Sequence, residues 1–270
     1  MSSSTPKTEI ERGSIVPDAV VLELYQKMLT VFYVEERLKI FDRLGKVSFH
    51  ASVRGHEKLQ IGMTLLLKPR QDWFFTYYRE KGTAIGLGMP LKDIFLGMLS
   101  RDGDPNSVGR NMPEHWSSRE LRLVAQTAAT GTQFLPAVGL ARAVKRDGGG
   151  EIVYVSSGEG ATSEGEFFEA LNWATRERLP VLFVIQNNGY AISVPQAAQT
   201  GSEIHRIAQG FGMPTYAIDG TRFEPMYQMY RLPSRGSARG VDRLLSKGKS
   251  SEWTRTPLPT TRRSIGVRKN

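Results

Sequence analysis

Ile152-Val153-Tyr154-Val155-Ser156 is a short apolar run that leads into Gly158-Glu159-Gly160, and Val181-Leu182-Phe183-Val184-Ile185 is a second that leads into Asn187-Asn188-Gly189-Tyr190. Between them, Glu164 to Arg178 carries Phe167, Phe168, Leu171 and Ala174 at helical spacing, and Pro180 stops it. Runs this short, apolar at nearly every position, read as strands buried on both faces, as in a parallel sheet. Strand, helix and strand with short joins make a parallel crossover unit. The domain is therefore expected to be α/β, with both glycine and asparagine loops at the carboxyl edge of neighbouring strands, where open sheets collect ligands.

Working outward, apolar residues Val21, Leu24, Tyr25, Met28, Leu29 and Phe32 predict a helix between Pro17 and Leu44. A second helix is expected from near His56, carrying Leu59, Ile61, Met63 and Leu66 and ending before Pro69. Trp73 to Tyr78 reads as a short aromatic strand, Pro90 opens a helix through Leu99, and another helix covers Pro136 to Arg146. Residues 101–118, rich in Asp, Gly, Asn, Pro and Ser, form an irregular loop. The expected architecture is three layers around a largely parallel sheet, preceded by an N-terminal helical segment.

The formal net charge of +9 is unevenly placed. Residues 226–270 hold 11 Lys+Arg against 2 Asp+Glu, and residues 1–225 hold 25 of each. A neutral body with an irregular basic end does not make the one-sided charged face that nucleic acid requires. No apolar run approaches the length of a membrane span. The chain has no cysteine, which excludes disulfides and thiol chemistry and fits a cytoplasmic, reducing setting. The expected division is a loose tail over 1–18, one α/β domain over 19–225, and a basic, disordered tail over 226–270.

The chemistry is expected where the two strand-end loops meet. Backbone N–H groups at the glycine loop and the following helix dipole favour an anion such as phosphate. Glu159 from one loop and an Asn188 amide oxygen from the other supply hard ligands suited to Mg²⁺, which shares its remaining positions with phosphate and water. Taken singly, Glu159 is an ordinary exposed acid and Asn-Asn-Gly an ordinary turn. Placed 29 residues apart across one crossover, they point to a shared cation.

That spacing resembles the thiamine diphosphate signature, which opens with Gly-Asp-Gly or Gly-Glu-Gly and closes with Asn-Asn. More narrowly, Gly158-Glu-Gly-Ala-Thr-Ser-Glu-Gly165 and Gln186-Asn-Asn-Gly-Tyr-Ala-Ile-Ser-Val-Pro195 resemble the alpha subunits of 2-oxo acid dehydrogenases. Tyr77-Tyr78-Arg79-Glu80, Gly109-Arg-Asn-Met-Pro-Glu-His115 and Gly131-Thr132-Gln133 match in order, over residues 20 to 225. The glutamate in the first motif is more similar to the branched-chain (2-oxoisovalerate) enzymes than to the pyruvate enzymes.

The resemblance implies a thiamine diphosphate-binding fold in which Glu159, Asn188 and the main-chain oxygen of Tyr190 ligate Mg²⁺. It implies that Gly160 and Ala161 offer backbone donors to the diphosphate, that Tyr78 and Arg79 hold the cofactor, and that the main chain of Ala128 and Thr130 meets its aminopyrimidine. Thr127, Thr132 and Gln133 align with a monovalent-cation site of branched-chain members, and His115 is the histidine expected near the active site. It further implies decarboxylation of a 2-oxo acid, with acyl transfer to a lipoyl group on an acyltransferase component. The site would be completed by a beta subunit in a heterotetramer, without nucleic acid or membrane.

The resemblance stops near Pro225. A full member continues with a helix, a buried strand and a loop carrying His-Ser-Ser-Asp-Asp, whereas Arg231 onward is rich in Arg, Pro, Thr and Ser with no strand pattern. The expectation is a truncated or altered C-terminus, produced by a shifted reading frame or a premature rearrangement in the gene. Competing readings are an acetoin or pyruvate dehydrogenase alpha subunit, a transketolase-like enzyme, and a subunit that assembles without turnover. A dinucleotide-binding dehydrogenase fits less well, because the third glycine and the ribose-binding acid are missing.

Overall fold

A computed structural model describes residues 16–231 and 243–246. Eight α-helices and seven strands follow in chain order among these residues: α1 Asp18–Arg43, α2 Glu57–Leu66, β1 Trp73–Phe75, α3 Lys81–Gly86, α4 Leu91–Met98, α5 Phe134–Arg146, β2 Val153–Gly158, α6 Gly165–Glu177, β3 Val181–Gln186, β4 Tyr190–Ala191, β5 Val194–Pro195, α7 Ile204–Gly210, β6 Thr215–Ala217, α8 Phe223–Arg231 and β7 Arg243–Ser246. The main sheet has the order β1-β2-β3-β7-β6, parallel throughout, and β4 and β5 form a small antiparallel hairpin.

Alternation along the strands builds the three layers. Phe74, Tyr154, Leu182 and Val184 point to one face and pack with residues of α1, α2, α4 and α8. Phe75, Val153, Val155, Val181, Phe183 and Ile185 point to the other and pack with α5, α6 and α7. Both faces are buried, which is why Val153–Val155 and Val181–Ile185 read as apolar runs. β2 and β3 run in register from Val153↔Val181 to Gly158↔Gln186, so their following loops leave the sheet side by side. No helix among the described residues is long and apolar enough to cross a membrane.

Three expectations change. The α1 pattern locates the helix, but Val21, Tyr25, Leu29 and Phe32 are exposed, while Leu24, Val31, Val34 and Leu38 face the core. Both sides of this helix are apolar, so periodicity cannot choose the inner one. Phe168 is likewise exposed, at 36%, whereas Phe167, Leu171 and Ala174 are buried. Regular structure also continues beyond Pro225: α8 runs to Arg231, and β7 enters the sheet between β3 and β6. A four-residue strand flanked by basic and polar residues leaves no sequence pattern, because its place is fixed by ladder hydrogen bonds to two neighbours. The remaining residues of 226–270, and residues 1–15 of the expected N-terminal tail, lie outside the described residues.

Candidate functional site

The carboxyl edge of β1, β2 and β3 carries Tyr77-Tyr78-Arg79, Gly158-Glu159-Gly160 and Asn187-Asn188. After Gly158 the chain turns at once into a 3-10 turn over Glu159–Ser163, then into α6. That turn drives the Glu159 side chain inward, where it is 3% exposed. Its Oε2 accepts the Asn188 main-chain N–H at 3.2 Å, while the buried Oε1 has no hydrogen-bond partner. Burial raises the Glu159 pKa, against hydrogen bonds from the backbone and the nearby charge of Arg79. A buried carboxylate oxygen without a donor is costly unless something else satisfies it.

The second loop is shaped by its own amides. Asn187 Oδ1 accepts Gly189 N–H at 2.8 Å and Asn188 Oδ1 accepts Tyr190 N–H at 2.9 Å, which folds the segment back into the β4–β5 hairpin. Ala191 of that hairpin lies against Gly160 so closely that a Cβ at Gly160 would sit 2.5 Å from the Ala191 Cβ. Only glycine lets the two loops close, so Gly160 is required here by contact. Ala161 is buried beside it.

Arg79 is half-buried, its guanidinium 5.5 Å from the Tyr78 ring and donating from Nη1 to the Ser52 carbonyl at 2.5 Å. Tyr78 stacks edge-on against Tyr77 and Phe49. The loop bearing Ala128 and Thr130 is exposed, yet anchored to the same edge at both ends. Gln126 donates to Thr76 Oγ1 at 2.7 Å, and Gln133 donates to the Ser156 carbonyl at 2.9 Å. Within it, the hydroxyls of Thr127 and Thr132 touch each other and both donate to the Ala129 carbonyl at 2.8 Å.

His115 is placed differently. It is buried, its Nδ1 lies 3.1 Å from the Pro113 carbonyl, and it lines a cavity of about 230 Å³ formed by the 97–116 segment. Tyr78, Arg79, Glu159 and Asn188 do not line that cavity.

Beneath the edge lies a polar layer that sequence reasoning missed. Glu80, fully buried, accepts from Ser156 Oγ at 2.5 Å, Tyr154 OH at 3.1 Å, Thr83 Oγ1 and Gln186 Nε2. Burial outweighs these donors and pushes its pKa up to about 7. His56 is buried as a neutral imidazole, pushed down to about 4 by burial and then by the charge of Arg79. Lys81 is fully buried between Glu35 and Glu114. The visible hint was Glu80-Lys81 directly following Arg79, but a charged pair reads as surface until burial is known.

Among the described residues no cluster of three or more His, Cys, Asp or Glu could hold a metal. A cation at this edge would rest on one carboxylate with neutral oxygens and phosphate, the habit of Mg²⁺. The orphaned Glu159 Oε1, the close-approach glycine and the half-buried arginine fit a metal-diphosphate group.

Fold and edge together define a three-layer α/β protein with a buried carboxylate and a close-packed glycine turn at the carboxyl edge of its parallel sheet. Residues 25–240 match the family described as "Dehydrogenase E1 component". The 2-oxoisovalerate dehydrogenase subunit alpha of Bacillus subtilis is 34% identical over 224 residues, covering 83% of this chain and 68% of that protein. The mitochondrial 2-oxoisovalerate dehydrogenase subunit alpha of Dictyostelium discoideum is 33% identical, covering 78% and 48%. The pyruvate dehydrogenase E1 component subunit alpha of Staphylococcus aureus strain Mu50 is 31% identical, covering 79% and 56%. A solved structure described as a putative thiamin diphosphate-dependent enzyme from Mycobacterium smegmatis gives a TM-score of 0.46 at 19% identity, covering 72% of this chain and 31% of that one. The chain belongs to the dehydrogenase E1 component family, among its alpha subunits. It spans about two thirds of the Bacillus relative and about half of the other two.

Proposed function

We propose that this chain binds thiamine diphosphate with Mg²⁺ and acts as the alpha subunit of a branched-chain 2-oxo acid dehydrogenase, decarboxylating the 2-oxo acid and passing the acyl group to a lipoyl carrier. The observation that carries the reading is Glu159, buried at the sheet edge with one oxygen unsatisfied and the other on the Asn188 backbone. Glu159, the Asn188 side chain and the Tyr190 main-chain oxygen would hold the cation. The backbone N–H groups at Gly160 and Ala161, in the first turn after the strand, would meet the diphosphate. Arg79 would take a phosphate oxygen with its planar fork, and Tyr78 would pack beside it. The main chain at Ala128 and Thr130 would border the aminopyrimidine, and His115 would lie at the substrate side. Thr127, Thr132 and Gln133 would border a monovalent cation.

When bound, the thiamine group supplies the carbon nucleophile and the electron sink for decarboxylation. This chain's part is to fix the diphosphate end and exclude water from it. A beta-type chain would contribute the group that activates the cofactor, giving a heterotetramer that works with a lipoyl-bearing acyltransferase. Calorimetric titration of thiamine diphosphate, with and without Mg²⁺, tests the site: Mg²⁺-dependent binding is expected, and its absence overturns the reading. Decarboxylation of 3-methyl-2-oxobutanoate should appear only after a beta-type chain is added, and a preference for pyruvate or for acetoin cleavage would move the chain to the alternative alpha-subunit types.

A second reading has its own observation. After residue 240, where the family match ends, residues 241–270 carry no counterpart of the expected His-Ser-Ser-Asp-Asp loop, which favours a subunit that assembles without turnover. Binding of both cofactor and beta chain without decarboxylation would select it.

A further inference from the structure

Outside the edge residues, a buried ion-pair brace remains unexplained by the proposed function. Lys81 is entirely buried, with Nζ 2.5 Å from Glu35 Oε1 and 2.7 Å from Glu114 Oε1. Burial alone would discharge an ammonium, but the Glu114 and Glu35 carboxylates keep it above its usual pKa, so Lys81 stays charged. Such a triad is a poor source of net stability, because desolvation consumes most of the Coulomb attraction. Its geometry points elsewhere.

Both carboxylates spend their second oxygen on one short segment. Glu114 Oε2 accepts the Ala51 N–H at 2.5 Å, and Glu35 Oε2 accepts the Ser52 hydroxyl at 2.7 Å. The next polar atom of that segment, the Ser52 carbonyl, accepts Arg79 Nη1 at 2.5 Å. The path is continuous: Lys81 holds two carboxylates, the carboxylates pin Ala51 and Ser52, and Ser52 aims the guanidinium. Glu114 holds this position with φ +69°, a left-handed conformation that glycine adopts freely and glutamate does not. The side-chain contacts hold it there.

We infer that Glu114, braced by Lys81 and Glu35, is a positioning residue that aims Arg79 at the diphosphate end of the ligand through the Ala51–Ser52 backbone. This rests on the proposed function for what Arg79 binds, and the brace itself touches no ligand. A residue needed only for folding would lose stability on truncation and leave the affinity of the still-folded chain unchanged. Glycine at position 114 relieves the backbone while removing the tether, so affinity can be read at a temperature where the chain remains folded.

The test is calorimetric titration of the full chain with thiamine diphosphate plus Mg²⁺ and, separately, with inorganic pyrophosphate plus Mg²⁺. In Glu114→Gly, affinity of the folded chain for both probes should fall by about tenfold, the equivalent of about 1.4 kcal/mol, and the melting temperature should fall as well, because Lys81 keeps only one of its two buried carboxylates. Glu114→Gln, which keeps an oxygen for Ala51 N–H, should recover most of that loss. Wild-type affinity in a folded Glu114→Gly overturns the inference, and so does failure of Glu114→Gln to improve on it. If Glu114→Gly does not fold, Ser52→Ala decides: a loss of about threefold, worth a fraction of the tenfold step, supports the brace, and unchanged affinity overturns it. Failure of the wild-type chain to bind either probe would instead overturn the proposed function, which separates the two failures.

Discussion

Glu159 and Glu80 are both buried glutamates near one sheet edge, and their surroundings assign them different work. Glu80 accepts from four side chains and has nothing left to offer, while Glu159 keeps an oxygen that no protein donor reaches. Replacing Glu159 with Gln should therefore weaken Mg²⁺-dependent thiamine diphosphate binding by at least about a hundredfold, or about 2.7 kcal/mol, with little change in melting temperature; calorimetry and a thermal melt read the two separately. Glu80 should instead be read in pH dependence. Its folded pKa of about 7 lies above the ordinary 4.5, so the folded state holds the proton more tightly than the unfolded state does. The resulting stability is fully present below about pH 4.5 and is lost as pH rises through about 7, by an amount on the order of 3 kcal/mol. Urea unfolding of wild type and Glu80→Gln across that window should show the decline in the first and its loss in the second. The sequence displays Glu159 because its spacing to Asn188 is a pattern. It hides Glu80, since burial of a charged residue depends on Tyr154, Thr83, Ser156 and Gln186 arriving from other parts of the chain.

At the scale of elements, β2, α6 and β3 were legible because each side chain reports its own environment: the polar residues of the two strands, Ser156, Ser157 and Gln186, fall at their carboxyl ends and leave the apolar runs before them unbroken. α1 was legible as a helix and misleading as a surface, since Tyr25 and Tyr33 are 58% and 67% exposed opposite a buried side of Leu24, Val31, Val34 and Leu38. α8 was missed for a different reason. Its burial depends on a contact outside its own sequence, where Gly62 of α2 leaves room for Phe223 and Met226. A Cβ at Gly62 would lie 2.8 Å from the Phe223 ring and 3.3 Å from Met226 Cε. Gly62→Val should push α8 off α2 and cost about 1–3 kcal/mol, measurable by chemical denaturation and by increased amide exchange in Phe223–Arg231. The same substitution in Gly45, whose added Cβ would meet nothing within 4 Å, controls for glycine loss, although its φ of +66° adds backbone strain of its own.

The whole molecule turns on how its two sheet halves are joined. β1, β2 and β3 carry the proposed site, whereas among the described residues β6 pairs with the rest only through β7, a strand contributed by residues 243–246 after a segment with no sequence signal. Within β7, Leu245 sits opposite Val184 of β3 and Tyr216 of β6, two strands that do not pair with each other. Leu245→Pro removes one ladder N–H and sets a ring where an inner strand tolerates none. Amide exchange should then rise sharply at Thr215–Ala217 and moderately along Val184–Ile185, while Val153–Gly158, shielded by β1 and β3, keeps its protection. Because Ile185 and Gln186 lead directly into Asn187-Asn188, the loosening should reach the cation end of the site and weaken Mg²⁺-dependent binding by about three- to tenfold, a fraction of the 1.4 kcal/mol step and up to all of it. Unchanged protection at Thr215–Ala217 would mean that β7 does not join the sheet. The site would then depend on β1, β2 and β3 alone, and residues beyond Arg231 would have no part in holding Asn188 in place.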